Sequence, residues 1–252
     1  MNPPATLFII DTCIGGLSVV KSLHRSGRVG NAVFAADYAV NPLGVRNASE
    51  IADVVRRWLA MAKRHSDTAI IACNTLSVHY HQLSATEAPT TGLRQVVTMS
   101  DCFTSMVKRE ADRLEDRKVL IIGTAFTAAQ PVYAGALKGV LPGTRVDTVA
   151  ATDLERSIAR FEPADSVDRC LGDPALRKAI EQADVAILAC TCFPLVRAEL
   201  ESRFPGVLFL DPGEYCGDLL RQGPRQEVMR LHLEVTGDVV ANSAYKGPLC
   251  QE

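Results

Sequence analysis

Two cysteines sit at the ends of matching apolar runs. Asp67-Thr-Ala-Ile-Ile-Ala-Cys73 returns as Asp184-Val-Ala-Ile-Leu-Ala-Cys190, an offset of 117 positions (73 to 190). Each run stops at its cysteine, and hydroxyl or amide residues follow: Cys73-Asn74-Thr75 in the first copy, Cys190-Thr191-Cys192 in the second. A buried parallel strand reads this way when it carries a reactive side chain to its carboxyl end. A thiol there, at the start of a helix, meets backbone N–H groups that favour the thiolate over a free pKa of about 8.5. Such a sulfur can serve as nucleophile, metal ligand or base. The duplication favours base chemistry: if two similar halves face each other, Cys73 and Cys190 reach opposite sides of one ligand. One thiolate removes a proton from carbon while the other thiol returns one to the opposite face, and the product is the mirror image.

A single nucleophilic cysteine would call for a partner histidine. The five histidines, at 24, 65, 79, 81 and 232, accompany neither thiol in a recognisable way, and His79 and His81 read as residues of the helix leaving Cys73. A positioned acid or base contributes roughly 10² to 10⁴ in rate. The remainder must come from polar groups that stabilise carbanion charge. Asn74, Thr75, Thr191, Thr12 and Thr124 stand at strand ends and could supply it. Asp11 reads either as a tuning carboxylate bordering the cleft or as a helix cap.

The elements that must hold these residues alternate between strand and helix. Leu7 to Ile10 is a strand running into Asp11-Thr12-Cys13-Ile-Gly15-Gly16, with a helix from Leu17. The two glycines suit tight turning and close helix packing, since the full Gly-x-Gly-x-x-Gly of a phosphate-binding turn is missing. Asn31 to Asp37 is a strand, Tyr38 to Arg46 a loop, and Ser49 to Arg64 a helix whose core stripe is Ile51, Val54, Val55, Trp58, Leu59 and Ala62. The first cysteine strand follows, then a helix from about 75 to 83, a loop near 87 to 92 and a helix from about 101 to 114. Lys118 to Ile122 is a strand entering Gly123-Thr124-Ala-Phe-Thr127, an echo of Ile10-Asp11-Thr12 at offset 112 (10 to 122). Val149 to Asp153 echoes Val33 to Asp37 at offset 116 (33 to 149). After Cys190 come a helix from about 194 to 203, a strand 207 to 210, a helix around 214 to 221 and a strand 228 to 236.

Fold class is therefore α/β: two similar domains with mostly parallel sheets related by pseudo-twofold symmetry, the active site in the cleft between them. The boundaries expected are 1–97 plus 211–252 for the first domain, the last segment packing back on it, and 98–210 for the second. At 252 residues and 47% hydrophobic the chain can bury such cores. With 27 basic against 29 acidic residues and a formal charge of -2, it has no basic block for a nucleic acid. No apolar run reaches the roughly 18 to 20 residues that span a bilayer, and the start lacks an export signal, so a cytoplasmic protein is expected. A reducing compartment keeps the eight cysteines as thiols. No Cys-x2-Cys pair occurs, and neither structural zinc nor any other metal is expected. Cys102, Cys170, Cys216 and Cys250 read as packing or surface thiols.

The motifs together resemble the aspartate/glutamate racemase family. Phe8-Ile-Ile-Asp11-Thr-Cys-Ile-Gly15-Gly16-Leu17 is similar to the family's Asp-Ser-Gly-Val-Gly-Gly-Leu opening, and Asn41-Pro42-Leu43-Gly44 to its Pro-Tyr-Gly loop. Ala72-Cys73-Asn74-Thr75-Leu-Ser77 resembles Ala-Cys-Asn-Thr-Ala-Ser. Ile122 to Thr127 with Tyr133 resembles the opening of the second domain, Ala189 to Leu195 resembles Cys-Thr-His-Tyr-Pro-Leu, and Val235 to Asp238 also has a counterpart. The resemblance implies a cofactor-independent racemase or epimerase of an acidic or related small amino acid, a small-molecule substrate and a homodimer. It implies that Cys73 acts on the D isomer and Cys190 on the L isomer, with Asp11 and Cys192 in the catalytic apparatus. Thr12, Cys13, Pro42, Leu43, Gly44, Asn74, Thr75, Thr124, Thr127 and Thr191 would contact substrate.

Four positions depart from the family pattern. Thr12 replaces serine, Cys13 glycine, Leu43 tyrosine and Cys192 histidine. Cys192 then reads as a support for Cys190, as its redox partner, or as a neutral replacement. Rival functions are a decarboxylase, a dicarboxylate cis/trans isomerase or a hydantoin racemase of the same superfamily, a noncatalytic ligand-binding relative, and metal or redox capture by Cys73, Cys190 and Cys192.

Overall fold

The computed structural model describes residues 6–27, 29–41, 43, 46–86, 92–162, 164–220 and 229–237. Among the described residues, nine strands fall into two sheets. β1 (Thr6–Asp11), β2 (Asn31–Asp37), β3 (Thr68–Ile71), β4 (Gln95–Thr98) and β9 (Arg230–Thr236) form the first, in the order β4-β3-β1-β2-β9. β5 (Lys118–Gly123), β6 (Arg145–Ala150), β7 (Val185–Leu188) and β8 (Leu208–Leu210) form the second, in the order β6-β5-β7-β8. Every pairing is parallel. Read from the opposite edge, the second sheet runs β8-β7-β5-β6, the same winding as β4-β3-β1-β2. The chain therefore builds one α/β unit twice, and β9 extends the first sheet beside β2.

Residue periodicity explains why the central strands are near-continuously apolar. Phe8 and Ile10 of β1 enter the core on one side of the first sheet, while Leu7 and Ile9 enter the core on the other. β5 divides likewise, Leu120 and Ile122 to one face and Val119 and Ile121 to the opposite one. Alternate side chains leave a strand on opposite faces, so a sheet covered by helices on both sides leaves no polar position along its centre. The helix Ala48–His65 starts at an Asn47 capping box closed by Glu50, and its six expected stripe residues are all buried. Within that stripe Trp58 Nε1 donates to Asp37 Oδ2 at 2.7 Å, and Thr236 donates to the other oxygen of Asp37. One carboxylate thus ties the end of β2 to a covering helix and to β9.

Register tests the internal echoes. Ile10 pairs with Ile71 and Ile122 with Leu188, so the offsets 112 and 117 describe equivalent positions. The third echo does not. Asp11 pairs with Ala36 and Gly123 with Ala150, an offset of 114 (36 to 150), and the matched letters at 116 lie two residues out of step. Asp153 accordingly falls inside the helix Thr152–Ala159.

Several elements differ from the expected ones. β4 was not anticipated: four residues, Gln-Val-Val-Thr, are too few for a periodic signal. The following helix begins earlier, at Met99, because Thr98 and Asp101 close a capping box, and it ends at Arg109, with a separate turn of helix at Ala111–Leu114. The expected helix at 194–203 opens as the 3₁₀ turn Phe193–Val196 before Arg197–Arg203. The one around 214–221 resolves into a 3₁₀ turn, Pro212–Tyr215, and a single helical turn, Cys216–Leu219. Pro131–Val140, Ala164–Leu171 and Pro174–Glu181 are helices that sequence reading left unassigned. Among the described residues no helix is long and apolar enough to cross a membrane.

Candidate active site

Four strand ends converge on one cavity. β1 ends at Asp11 and is followed by Thr12 and Cys13; β3 ends two residues before Cys73; β5 runs into Thr124; β7 leads to Cys190 and Thr191. All belong to carboxyl ends of parallel strands, where backbone N–H groups are left unpaired and ligands bind in open α/β sheets. The cavity measures about 430 Å³ and is lined by both Cys73 and Cys190.

Of the other expected residues, Asp11, Thr12, Cys13, Leu43, Asn74 and Thr75 line the cavity from the first half. Thr124, Thr127 and Thr191 line it from the second. Pro42 and Gly44 lie outside the described residues. Cys192 does not reach the cavity. It is fully buried, its Sγ 3.4 Å from Cys13 Sγ.

Contacts across the two halves fix this geometry. Thr191 Oγ1 donates to Asp11 Oδ2 at 2.8 Å, and the Thr12 backbone N–H donates to Oδ1 at 2.7 Å. Tyr133 donates its hydroxyl to Asn74 Oδ1 at 2.8 Å. That bond turns the Asn74 amide so that Nδ2 is a buried donor with no partner among the described residues, in a residue that borders the cavity. A buried donor left in this state costs about 1–3 kcal/mol unless a ligand accepts from it. Thr75 and Thr127 bring their hydroxyls within 3.5 Å, and Thr127 also accepts from Thr124 at 3.1 Å. Gly15 allows the close approach: a Cβ there would lie 2.6 Å from Thr191 Oγ1 and 2.8 Å from the Cys192 backbone nitrogen. Tight packing, the role expected of Gly15-Gly16, is what the structure gives.

Burial dominates the electrostatics. It raises Asp11 to about 7 against the pull of its hydrogen bonds from Thr191 and Thr12. Cys73 is pushed well above the usual thiol range, first by burial and then by the Asp11 charge, while the Leu76 backbone N–H pulls the other way. The expected preference for thiolate at Cys73 is therefore opposed: the one N–H does not offset burial and the Asp11 charge. The sulfur lies 4.0 Å from Thr12 Oγ1.

Sequence reading missed one stretch of wall. Thr152, Glu155 and Arg156 line the cavity from the helix after β6, with Asn41 contributing after β2 and Ala125 and Phe126 after β5. The two-residue slip in the third echo concealed that stretch; aligned by register, the segment after Ala150 falls opposite the loop after Ala36. Glu155 is half-buried, and burial raises its carboxyl above the usual range. His79 is half-buried and stacks on Phe126 with centroids 4.7 Å apart, and His81 bonds Thr98 at 3.0 Å, neither contributing to the cavity wall.

The sequence profile of the Asp/Glu/Hydantoin racemase family matches residues 1–216. The chain belongs to this family. Membership in the Asp/Glu/Hydantoin racemases bears out the expected resemblance and the expected isomerase of the racemase type. A glutamate racemase of Syntrophus aciditrophicus is 27% identical over 213 residues, covering 83% of this chain and 76% of its own. Among solved structures, glutamate racemase from Campylobacter jejuni subsp. jejuni superposes with a TM-score of 0.81 at 23% identity, over 98% of both chains. Glutamate racemase from Francisella tularensis subsp. tularensis, solved in complex with D-glutamate, superposes with a TM-score of 0.75 at 18% identity, over 94% of this chain and 90% of that one. The expected α/β fold with two mostly parallel sheets is that of these structures.

Proposed function

We propose that the protein is a cofactor-independent racemase or epimerase of a small carboxylate-bearing amino acid, with Cys73 and Cys190 as its two bases. The observation that carries this reading is that both thiols line one cavity from equivalent strand ends of the two halves. In the forward direction one sulfur, as thiolate, takes the proton from the substrate α-carbon: the C–H bond breaks and an S–H bond forms. The other sulfur, as thiol, gives its proton to the opposite face. No electrons are gained or lost overall, and configuration inverts.

The remaining wall suits such a substrate. Asn74 Nδ2, the Thr75 hydroxyl and the Thr12 hydroxyl are donors for an α-carboxylate, and fixed donors of this kind stabilise the charge that develops on the α-carbon and its carboxylate. The Asp11 and Glu155 carboxyls offer acceptors for the ammonium group, whose positive charge opposes the burial that keeps Cys73 protonated. Leu43 and Cys13 present apolar surface where the family carries tyrosine and glycine, which favours a substrate whose distal end differs from glutamate.

Pseudo-twofold symmetry, cytoplasmic residence, a homodimer and domain boundaries at 1–97 plus 211–252 and 98–210 belong to the same reading. The repeated winding β4-β3-β1-β2 and β8-β7-β5-β6 supports the first and the division into two domains. The deciding experiment is a screen of enantiopure amino acids in heavy water with wild type, Cys73→Ala and Cys190→Ala. Wild type exchanges the α-hydrogen and inverts at least one acidic or related amino acid, and each variant loses inversion. Absence of exchange with every amino acid tested removes the proposal.

A further inference from the structure

Cys13, Cys192 and Glu155 come from three distant parts of the chain, yet one ligand atom from each lies within 4.8 Å of the others. The two sulfurs are 3.4 Å apart and almost wholly removed from solvent, while Glu155 is half-buried at the cavity wall. Such a set has the composition of a site for a borderline-soft cation. Thiolate selects zinc-like ions over magnesium or calcium, and a carboxylate completes three protein ligands. Zinc–sulfur bonds of about 2.3 Å and zinc–oxygen bonds of about 2.0–2.2 Å in a tetrahedron put the donors roughly 3.5–3.8 Å apart. A small widening of the sulfur pair and a rotation of the Glu155 side chain meet those separations.

We propose that Cys13, Glu155 and Cys192 bind one thiophilic divalent cation, zinc by preference, in the seam between the two halves. Gly15 packs against the Cys192 backbone nitrogen, where a Cβ would sit at 2.8 Å, so the backbone segments that carry the two cysteines are held close together across the seam. Cys13 and Glu155 border the cavity while Cys192 closes the site from behind. A fourth coordination position therefore opens toward the cavity, where water or a substrate carboxylate fits. Binding exchanges two thiol protons for the cation and joins the first half, through Cys13, to the second, through Glu155 and Cys192. A bound cation takes Glu155 and Cys13 from the substrate roles given to them in the racemase reading, and the test separates the two because it reads metal rather than turnover.

The experiment is a Co²⁺ titration of fully reduced, metal-free protein, followed by thiolate-to-cobalt charge-transfer absorption and tetrahedral visible bands. Wild type should take up one equivalent, and a competing Zn²⁺ titration should bleach the signal. Cys13→Ser and Cys192→Ser should each lose the charge-transfer band while keeping the circular dichroism of the wild-type apoprotein, and Glu155→Gln should bind at least about tenfold more weakly. Cys73→Ala and Cys170→Ala should keep the band. No uptake by the reduced wild type overturns the proposal, including the case in which Cys13 and Cys192 are recovered as a disulfide and bind nothing once reduced. A band that survives both serine variants, or disappears in Cys73→Ala, assigns the cation to other ligands and equally overturns it.

Discussion

The hydroxyl of Thr191 donates to the carboxylate of Asp11 across 180 positions of sequence, Oγ1 to Oδ2 at 2.8 Å, with both residues buried. Asp11 ends β1 of the first half and Thr191 follows Cys190 in the second. A buried carboxylate of one half is thus solvated by the residue that adjoins the cysteine of the other. Alignment of the two halves and the electrostatics of the cavity are consequently one problem, and the following expectations depend on it.

Thr191→Val keeps the side-chain shape and removes the donor. Asp11 Oδ2 then faces an apolar methyl, and an unsatisfied buried acceptor costs about 1–3 kcal/mol. Urea unfolding near neutral pH should show a loss in that range; an unchanged midpoint would mean that the bond contributes nothing in solution.

Cys73→Ala and Cys190→Ala should each lower racemisation by at least about 10²-fold, the smaller contribution typical of a positioned acid or base. Chiral chromatography of the product mixture measures it. If one variant alone retained full inversion, a two-sided mechanism would be wrong.

Asp11→Asn should bring the Cys73 thiol down. Burial is the larger cause of its elevation and remains, but the neighbouring carboxylate is the next and is removed. Alkylation of the Cys73 peptide, followed by mass spectrometry across a pH series, should rise at lower pH in Asp11→Asn than in wild type. A shift in the opposite direction contradicts the placement of the two groups.

Gly15→Ala places a Cβ 2.6 Å from Thr191 Oγ1 and 2.8 Å from the Cys192 nitrogen, one of them backbone. The seam must open, with an overpacking cost of about 1–3 kcal/mol, and the separation of Cys73 from Cys190 changes with it. Lower stability together with lower kcat is expected, and a variant with wild-type turnover would show that the seam tolerates the methyl group.

Asp211 provides a pH test away from the cavity. It is fully buried after β8, accepts from the Gly213 backbone N–H at 2.7 Å, and burial raises it to about 7 against an ordinary 3.8. Folded protein therefore holds this proton more tightly than unfolded chain. The associated stability is fully present below the unfolded value and is lost as pH rises through the folded one. Wild type should be less stable at about pH 8 than at about pH 5 by an amount on the order of a few kcal/mol from this group, and Asp211→Asn should flatten that slope. Denaturation midpoints at the two pH values decide it.

Sequence by itself determined the elements and most of the cavity. Strands with apolar residues on both faces and helices with a single apolar stripe follow from local periodicity, which is why β1, β3, β5, β7 and the stripe around Trp58 were legible. The thiols at 73 and 190 were legible because the same strand is written twice. Short elements such as β4 lack enough residues for a period, and the edge strand β6, exposed along much of its length, carries no continuous apolar run; its match to β2 slipped by two residues and hid Glu155. Tertiary structure alone decided how side chains far apart in sequence meet. Cys13 and Cys192 carry no metal or disulfide spacing, yet folding sets their sulfurs 3.4 Å apart, and it buries Cys73 beside Asp11 so that both raise the thiol against the helix start that favours its thiolate. Periodicity is a local property written along the chain, whereas desolvation and contact distance depend on what the rest of the molecule packs against a residue.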